Sequence, residues 1–134
     1  MKDTAMNNNP LSLPNDGHLW QGVDYGKTTS RRYAFTSMAM GYRAVFSAIR
    51  LWMLRGKKLG LGDVLERLTK GWDEIDRWYV RRKIRILTGL SLRDAICPLS
   101  ADTMLPLVGV LAEHRLGKDF SLRDLNEGWR LFNG

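Results

Sequence analysis

The stretch from Phe35 to Leu54 constrains this chain more than any other. Apolar side chains fall at Met38, Tyr42, Val45, Phe46, Ile49, Trp52 and Met53, in steps of three and four that place them on one wide helical face. Thr36 or Ser37 is positioned to accept a backbone N–H at the helix start. Arg43, Ser47, Arg50 and Arg55 fall on the opposite, wet side. Gly56 permits a left-handed cap, and Lys57 and Lys58 suit the carbonyl end of a helix. A helix of about 18–20 residues is long for a globular protein, and one this apolar is expected to be the post on which the other elements pack.

Residues 1–17 are polar and rich in Asn, Pro and Gly, which favours turns. Residues 18–34 hold Trp20-Gln21-Gly22, Tyr25-Gly26 and Arg31-Arg32-Tyr33 without helical period, which predicts a loop or a short hairpin anchored by Trp20. After the central helix, a short helix is expected from Asp63 to about Lys70, and a stronger one from Ile75 to Leu87. On the latter, Ile75, Trp78, Tyr79 and Ile86 form the predicted apolar side, widened by Val80, Ile84 and Leu87. Ser91-Leu92-Arg93-Asp94 reads as the opening of a short helix that Pro98 stops. Ser100 to Leu116 predicts a buried helix, with Pro106 in its first turn or at a kink. Ser121 starts a last amphipathic helix through Leu122, Leu125, Trp129 and Phe132. The expected architecture is mostly α: one domain over 1–134, with an irregular lobe over 1–34 and a helical body over 35–134.

Length and composition narrow the chemistry. With 134 residues, the chain is long enough to bury one core without covalent staples. No basic segment followed by an apolar one stands at the N-terminus, so a secretory signal is not expected. No uncharged apolar run reaches the roughly 18 residues of a membrane span. A net charge of +7 attracts polyanions: nucleic acid, anionic lipid or bacterial cell wall. Cys97 is alone and reads as a core filler. His18, His114 and one cysteine offer no metal-ligand spacing, and neither a phosphate-binding glycine loop nor a glycine-flanked serine occurs. No metal or cofactor is therefore expected, and any hydrolase here would work with carboxylates.

Glu113 is the leading carboxylate, because it ends the buried helix beside His114; burial there would favour its protonated, proton-donating form. The plain alternative is an exposed helix-end carboxylate. Asp73, Glu74 and Asp76 suit a helix start and need no other role. Arg81-Arg82-Lys83-Ile84-Arg85 fits either a nucleic-acid-binding face or a solvated helix side. Trp20 could anchor the lobe or offer a flat face to a sugar ring.

Asn7-Asn8-Asn9-Pro10, Trp20-Gln21-Gly22, Tyr33-Ala34-Phe35-Thr36-Ser37 and Gly41-Tyr42-Arg43-Ala44 follow one another along the chain. In order and spacing they resemble a family of small phage and prophage proteins, virion structural proteins with a lysozyme-like domain. The likeness extends more loosely through Trp72 and the Thr103–Gly117 region to the last helix. It implies a lysozyme-like helical fold and contact with bacterial peptidoglycan, with other virion proteins as further partners. It implies a virion-associated or bacterial cytoplasmic location. On this resemblance Asn8, Asn9, Trp20, Arg43 and Arg115 are substrate-binding candidates, the two asparagines through amide groups suited to acetamido and hydroxyl partners.

Several polar positions depart from the family pattern. Its late helix ends in His-Glu-Asn-Gly or Val-Glu-Asn-Gly, where this chain has His114-Arg115-Leu116-Gly117. Arg115 holds the glutamate's place and cannot donate a proton. Glu113 lies two residues earlier, a rotation of about 200° on a helix. The arginine before the asparagines is replaced around Ala5-Met6, the Asn-Ile after the proline is Ser12-Leu13, and the loop after Trp72 is shortened to Asp73-Glu74. Apolar positions are kept and polar ones changed, which points to a retained fold with lost or altered catalysis. Two alternatives stay open: an active peptidoglycan glycosidase or lytic transglycosylase using Glu113, and a small basic nucleic-acid-binding protein.

Overall fold

The central helix forms where its apolar period predicts it. In the computed structural model, which describes residues 7–55 and 59–134, α1 spans Met38–Leu54. Ser37 is its N-cap, its Oγ accepting the Met40 N–H at 3.2 Å. The expected cap at Gly56 and its two lysines lie outside the described residues. Four more α-helices follow: α2 (Leu61–Leu68), α3 (Glu74–Thr88), α4 (Ala101–Leu116) and α5 (Leu122–Asn133), with a 3-10 turn at Gly117–Asp119. The protein is mostly α. Among the described residues β pairing is confined to isolated bridges, Pro14 with Arg32, Val23 with Phe35 and Gly60 with Ala95.

α1 is the packing post. Tyr42, Ala44, Val45, Phe46 and Ile49 have no exposed surface. Its largest helix interface is with α5, where a Cβ at Gly128 would overlap Tyr42 Cβ and crowd the Ala39 carbonyl. Without that methyl the two backbones close up. Phe46 then meets the Trp129 ring edge-on at 4.9 Å, a favoured aromatic geometry.

The N-terminal lobe packs on the same post through the Asn-Pro run. A Cβ at Gly41 would overlap the Asn8 carbonyl oxygen and press on Pro10. Asn9 is 2% exposed and acts as an internal clasp: Nδ2 donates to the Leu13 and Tyr33 carbonyls at 3.1 and 2.9 Å, and Oδ1 accepts the Leu13 N–H at 2.8 Å. Asn8 Nδ2 donates to the Phe35 carbonyl at 3.1 Å. Of the loop or short hairpin expected here, the described residues form the loop, tied by isolated bridges and these side-chain amides.

Two expectations fail locally. The short helix opening at Ser91 is a single turn, with Asp94 Oδ2 accepting the Ser91 N–H at 2.7 Å. The carbonyls that would extend it are engaged elsewhere: Leu61 N–H donates to Asp94 O at 2.9 Å and Gly62 N–H to Leu92 O at 2.8 Å. These are first-turn donors of α2, which lack helical partners of their own. The segment therefore caps α2 instead of forming a helix. Cys97, in the same segment, is exposed rather than in the core.

α3 is rotated from its predicted orientation. Val80 and Ile84 are fully buried, while Ile75, Trp78, Tyr79, Ile86 and Leu87 are exposed. Against α4, the row Asp76, Val80, Ile84 and Thr88 faces inward. In α4 Met104, Leu107, Val108 and Leu111 are buried. Pro106 sits inside α4 past its first turn, where its missing N–H leaves one upstream carbonyl without a helical donor.

Candidate functional site

The start of α3 and the end of α4 meet, and this brings ionisable and aromatic side chains together. Asp76 lies in the first turn of α3 and His114 in the last turn of α4, each where the helix dipole favours its charge. His114 Nε2 is 3.0 Å from Asp76 Oδ1. A carboxylate only accepts, so Nε2 carries the proton. The imidazole lies between two rings: Trp72, stacked at 5.7 Å, and Tyr79, tilted at 5.5 Å. The Arg115 guanidinium sits 5.6 Å over the Trp72 ring. Burial, and after it the charge of Arg32, hold the Arg115 pKa below the usual arginine value.

Beside this cluster is a cleft of about 430 Å³ walled by Tyr79, Lys83, Val110, Glu113 and His114, and closed by Gly117 and Phe120. Tyr79 is 47% exposed and offers a flat apolar wall. Lys83, Glu113 and His114 add hydrogen-bonding groups at the rim. Lys83 Nζ stands 3.6 Å from Glu113 Oε1. The arrangement can hold an amphipathic ring with hydroxyl and amide substituents. Cleaving a glycosidic bond asks for a protonated carboxylic acid and a second carboxylate opposite it. Glu113 is 56% exposed, as the plain helix-end reading has it. The neighbouring Asp76 is already bound to His114.

The structure separates most of the sequence-predicted binding residues from this cleft. None of Asn8, Asn9, Trp20 and Arg43 lines it. Both amide hydrogens of Asn9 are taken within the lobe, by the Leu13 and Tyr33 carbonyls. Asn8 is likewise turned to the Phe35 carbonyl. Trp20 is half-buried against the core, as the anchor reading has it, and the His18 ring lies 3.8 Å from its own. Arg43 is half-buried, its backbone beside α5 at Gly128. Glu113 lines the cleft, and Arg115 borders it through Trp72.

Trp72, Asp76, Tyr79 and Lys83 escaped the sequence reading. Tyr79 shares the predicted apolar side of its helix, and Asp76 suits a helix start without a further role. The usable signal was the pairing of an acidic first turn with a His-Arg last turn in the two strongest later helices. Among the described residues no group of three or more His, Cys, Asp and Glu side chains is arranged to hold a metal ion. No protein-family model and no curated protein matches this sequence.

Proposed function

We propose that this chain is a lysozyme-like domain of the phage or prophage virion type that binds bacterial peptidoglycan without cleaving it. One observation carries the reading. The cleft has an aromatic wall and polar rim fit for a sugar, while its only rim carboxylate, Glu113, is exposed and paired with Lys83. Arg115, at the place of the family's glutamate, is folded over Trp72 and supplies no acid. The sequence resemblance supports the choice of polymer, and the charge of +7 favours approach to anionic wall.

The test is co-sedimentation of the protein with purified sacculi. Removing an aromatic wall is expected to weaken binding by about tenfold, the scale of 1–2 kcal/mol of ring contact. Tyr79→Ala should therefore bind about tenfold more weakly than wild type, while Glu113→Gln stays within about twofold. Unchanged binding by Tyr79→Ala would remove the cleft from the account.

A further inference from the structure

The outer side of α3 carries side chains that neither the core nor the cleft uses. Residues four apart form rows along a helix. Tyr79 and Lys83 face the cleft on one flank, and Arg77, Arg81 and Arg85 form the other flank. The crest between them holds Ile75, Trp78, Arg82 and Ile86. Ile75 is 81% exposed, Ile86 70% and Trp78 61%. Three of the ten exposed large apolar side chains among the described residues, Ile75, Trp78 and Ile86, lie along this one crest, so they are grouped and not scattered singly.

The basic flank is unsatisfied. Between α3 and Leu92 runs a groove of about 590 Å³ lined by Arg77, Trp78, Arg81, Arg82 and Arg85, with Glu74 at its end. The Nε atoms of Arg77 and Arg81 are buried there without a hydrogen-bond partner. Among the described residues no carboxylate pairs with Arg77, Arg81, Arg82 or Arg85. Arg82 instead lies 5.6 Å over the Trp78 ring.

We propose that this face of α3 docks on an anionic phospholipid surface. Ile75, Trp78 and Ile86 enter the boundary between headgroups and acyl chains, and Arg81, Arg82 and Arg85 lie among the lipid phosphates. Two features select this occupant. The guanidiniums complement a sheet of phosphates. The crest isoleucines, about 16 Å apart along the axis, present no ring face to a nucleobase, yet they suit an interfacial helix lying flat. No described helix is long and apolar enough to cross a membrane, so the contact is peripheral. The proposal rests on residues other than the cleft walls and stands or falls apart from wall binding.

The test is sedimentation of the full chain with vesicles of phosphatidylglycerol and phosphatidylcholine, against phosphatidylcholine alone, with single-stranded DNA as a soluble phosphate polymer. Binding is expected only to the phosphatidylglycerol vesicles, with a blue shift of tryptophan emission that Trp78→Phe removes. The double variant Ile75→Ser, Ile86→Ser should fold as wild type, since both side chains are exposed, and lose at least about tenfold in vesicle affinity. Arg81→Gln with Arg85→Gln should weaken binding and flatten its salt dependence. Absence of vesicle binding, equal binding to both vesicle types, or full binding by the double-serine variant overturns the proposal. So does binding to DNA that ignores the isoleucines while vesicles stay free; that result assigns the groove to a nucleic-acid backbone.

Discussion

Gly41 and Asn9 are the two residues through which the N-terminal lobe is fastened. An alanine methyl at Gly41 would overlap the Asn8 carbonyl oxygen, which is backbone and has little room to move. Gly41→Ala is expected to cost about 3 kcal/mol, at the upper end for overpacking. Asn9→Ala strands the Leu13 N–H and the Tyr33 carbonyl and leaves the Leu13 carbonyl with the Tyr33 N–H alone, at about 2–3 kcal/mol. Urea titrations check both, and a cost below about 0.5 kcal/mol for either contradicts the clasp. Tyr33 adds a pH signature. Burial, then the hydrogen bond it donates to Asp16 at 2.7 Å, push its pKa up from 10.0 to about 12. The folded state holds this proton more tightly than the unfolded chain, so the stabilisation is complete below pH 10 and is lost as pH rises towards 12. Burial, with the charge of Asp124, likewise raises the pKa of Tyr42. Urea midpoints between pH 9 and 12 should fall less steeply in Tyr33→Phe than in wild type; identical slopes would contradict the assignment.

Among the elements, α3 separates what the sequence made legible from what it did not. Each of the four other helices starts within two or three residues of its predicted start, because apolar runs fill the core and, in α1 and α5, Ser37 and Ser121 cap through their own hydroxyls. On α3 the pattern is ambiguous: apolar residues occur all round it, and only two of them, Val80 and Ile84, are buried. Which row faced inward was decided by α4, a tertiary partner absent from local spacing. The candidate site suffered the same way, since Asp76 meets His114 across 38 positions. Within the Asn-Pro, Trp-x-Gly and Gly-x-Arg-Ala constellation, Gly41 and Asn9 pack the lobe onto α1. Paired substitutions test the rotation. Ile84→Ala should cost about 2–4 kcal/mol, and Ile86→Ala no more than about 0.5 kcal/mol. Equal costs by thermal and urea unfolding would restore the predicted orientation.

At the scale of the whole molecule, three surfaces share one compact arrangement of helices. The lobe closes one side of α1, α5 closes another, α3 and α4 leave the aromatic cleft open on one flank of α3, and the arginine groove runs along the other flank beside Leu92. The central claim is that the cleft holds peptidoglycan and does not cut it. The most direct measurement is release of soluble muropeptides from purified sacculi, followed in the same samples as protein sedimentation, for wild type and Glu113→Gln. The expected result is sedimentation of both proteins with the wall and no release by either. Release by wild type that Glu113→Gln abolishes would contradict the account and make Glu113 a working acid. Failure of wild type to sediment would contradict the binding claim itself.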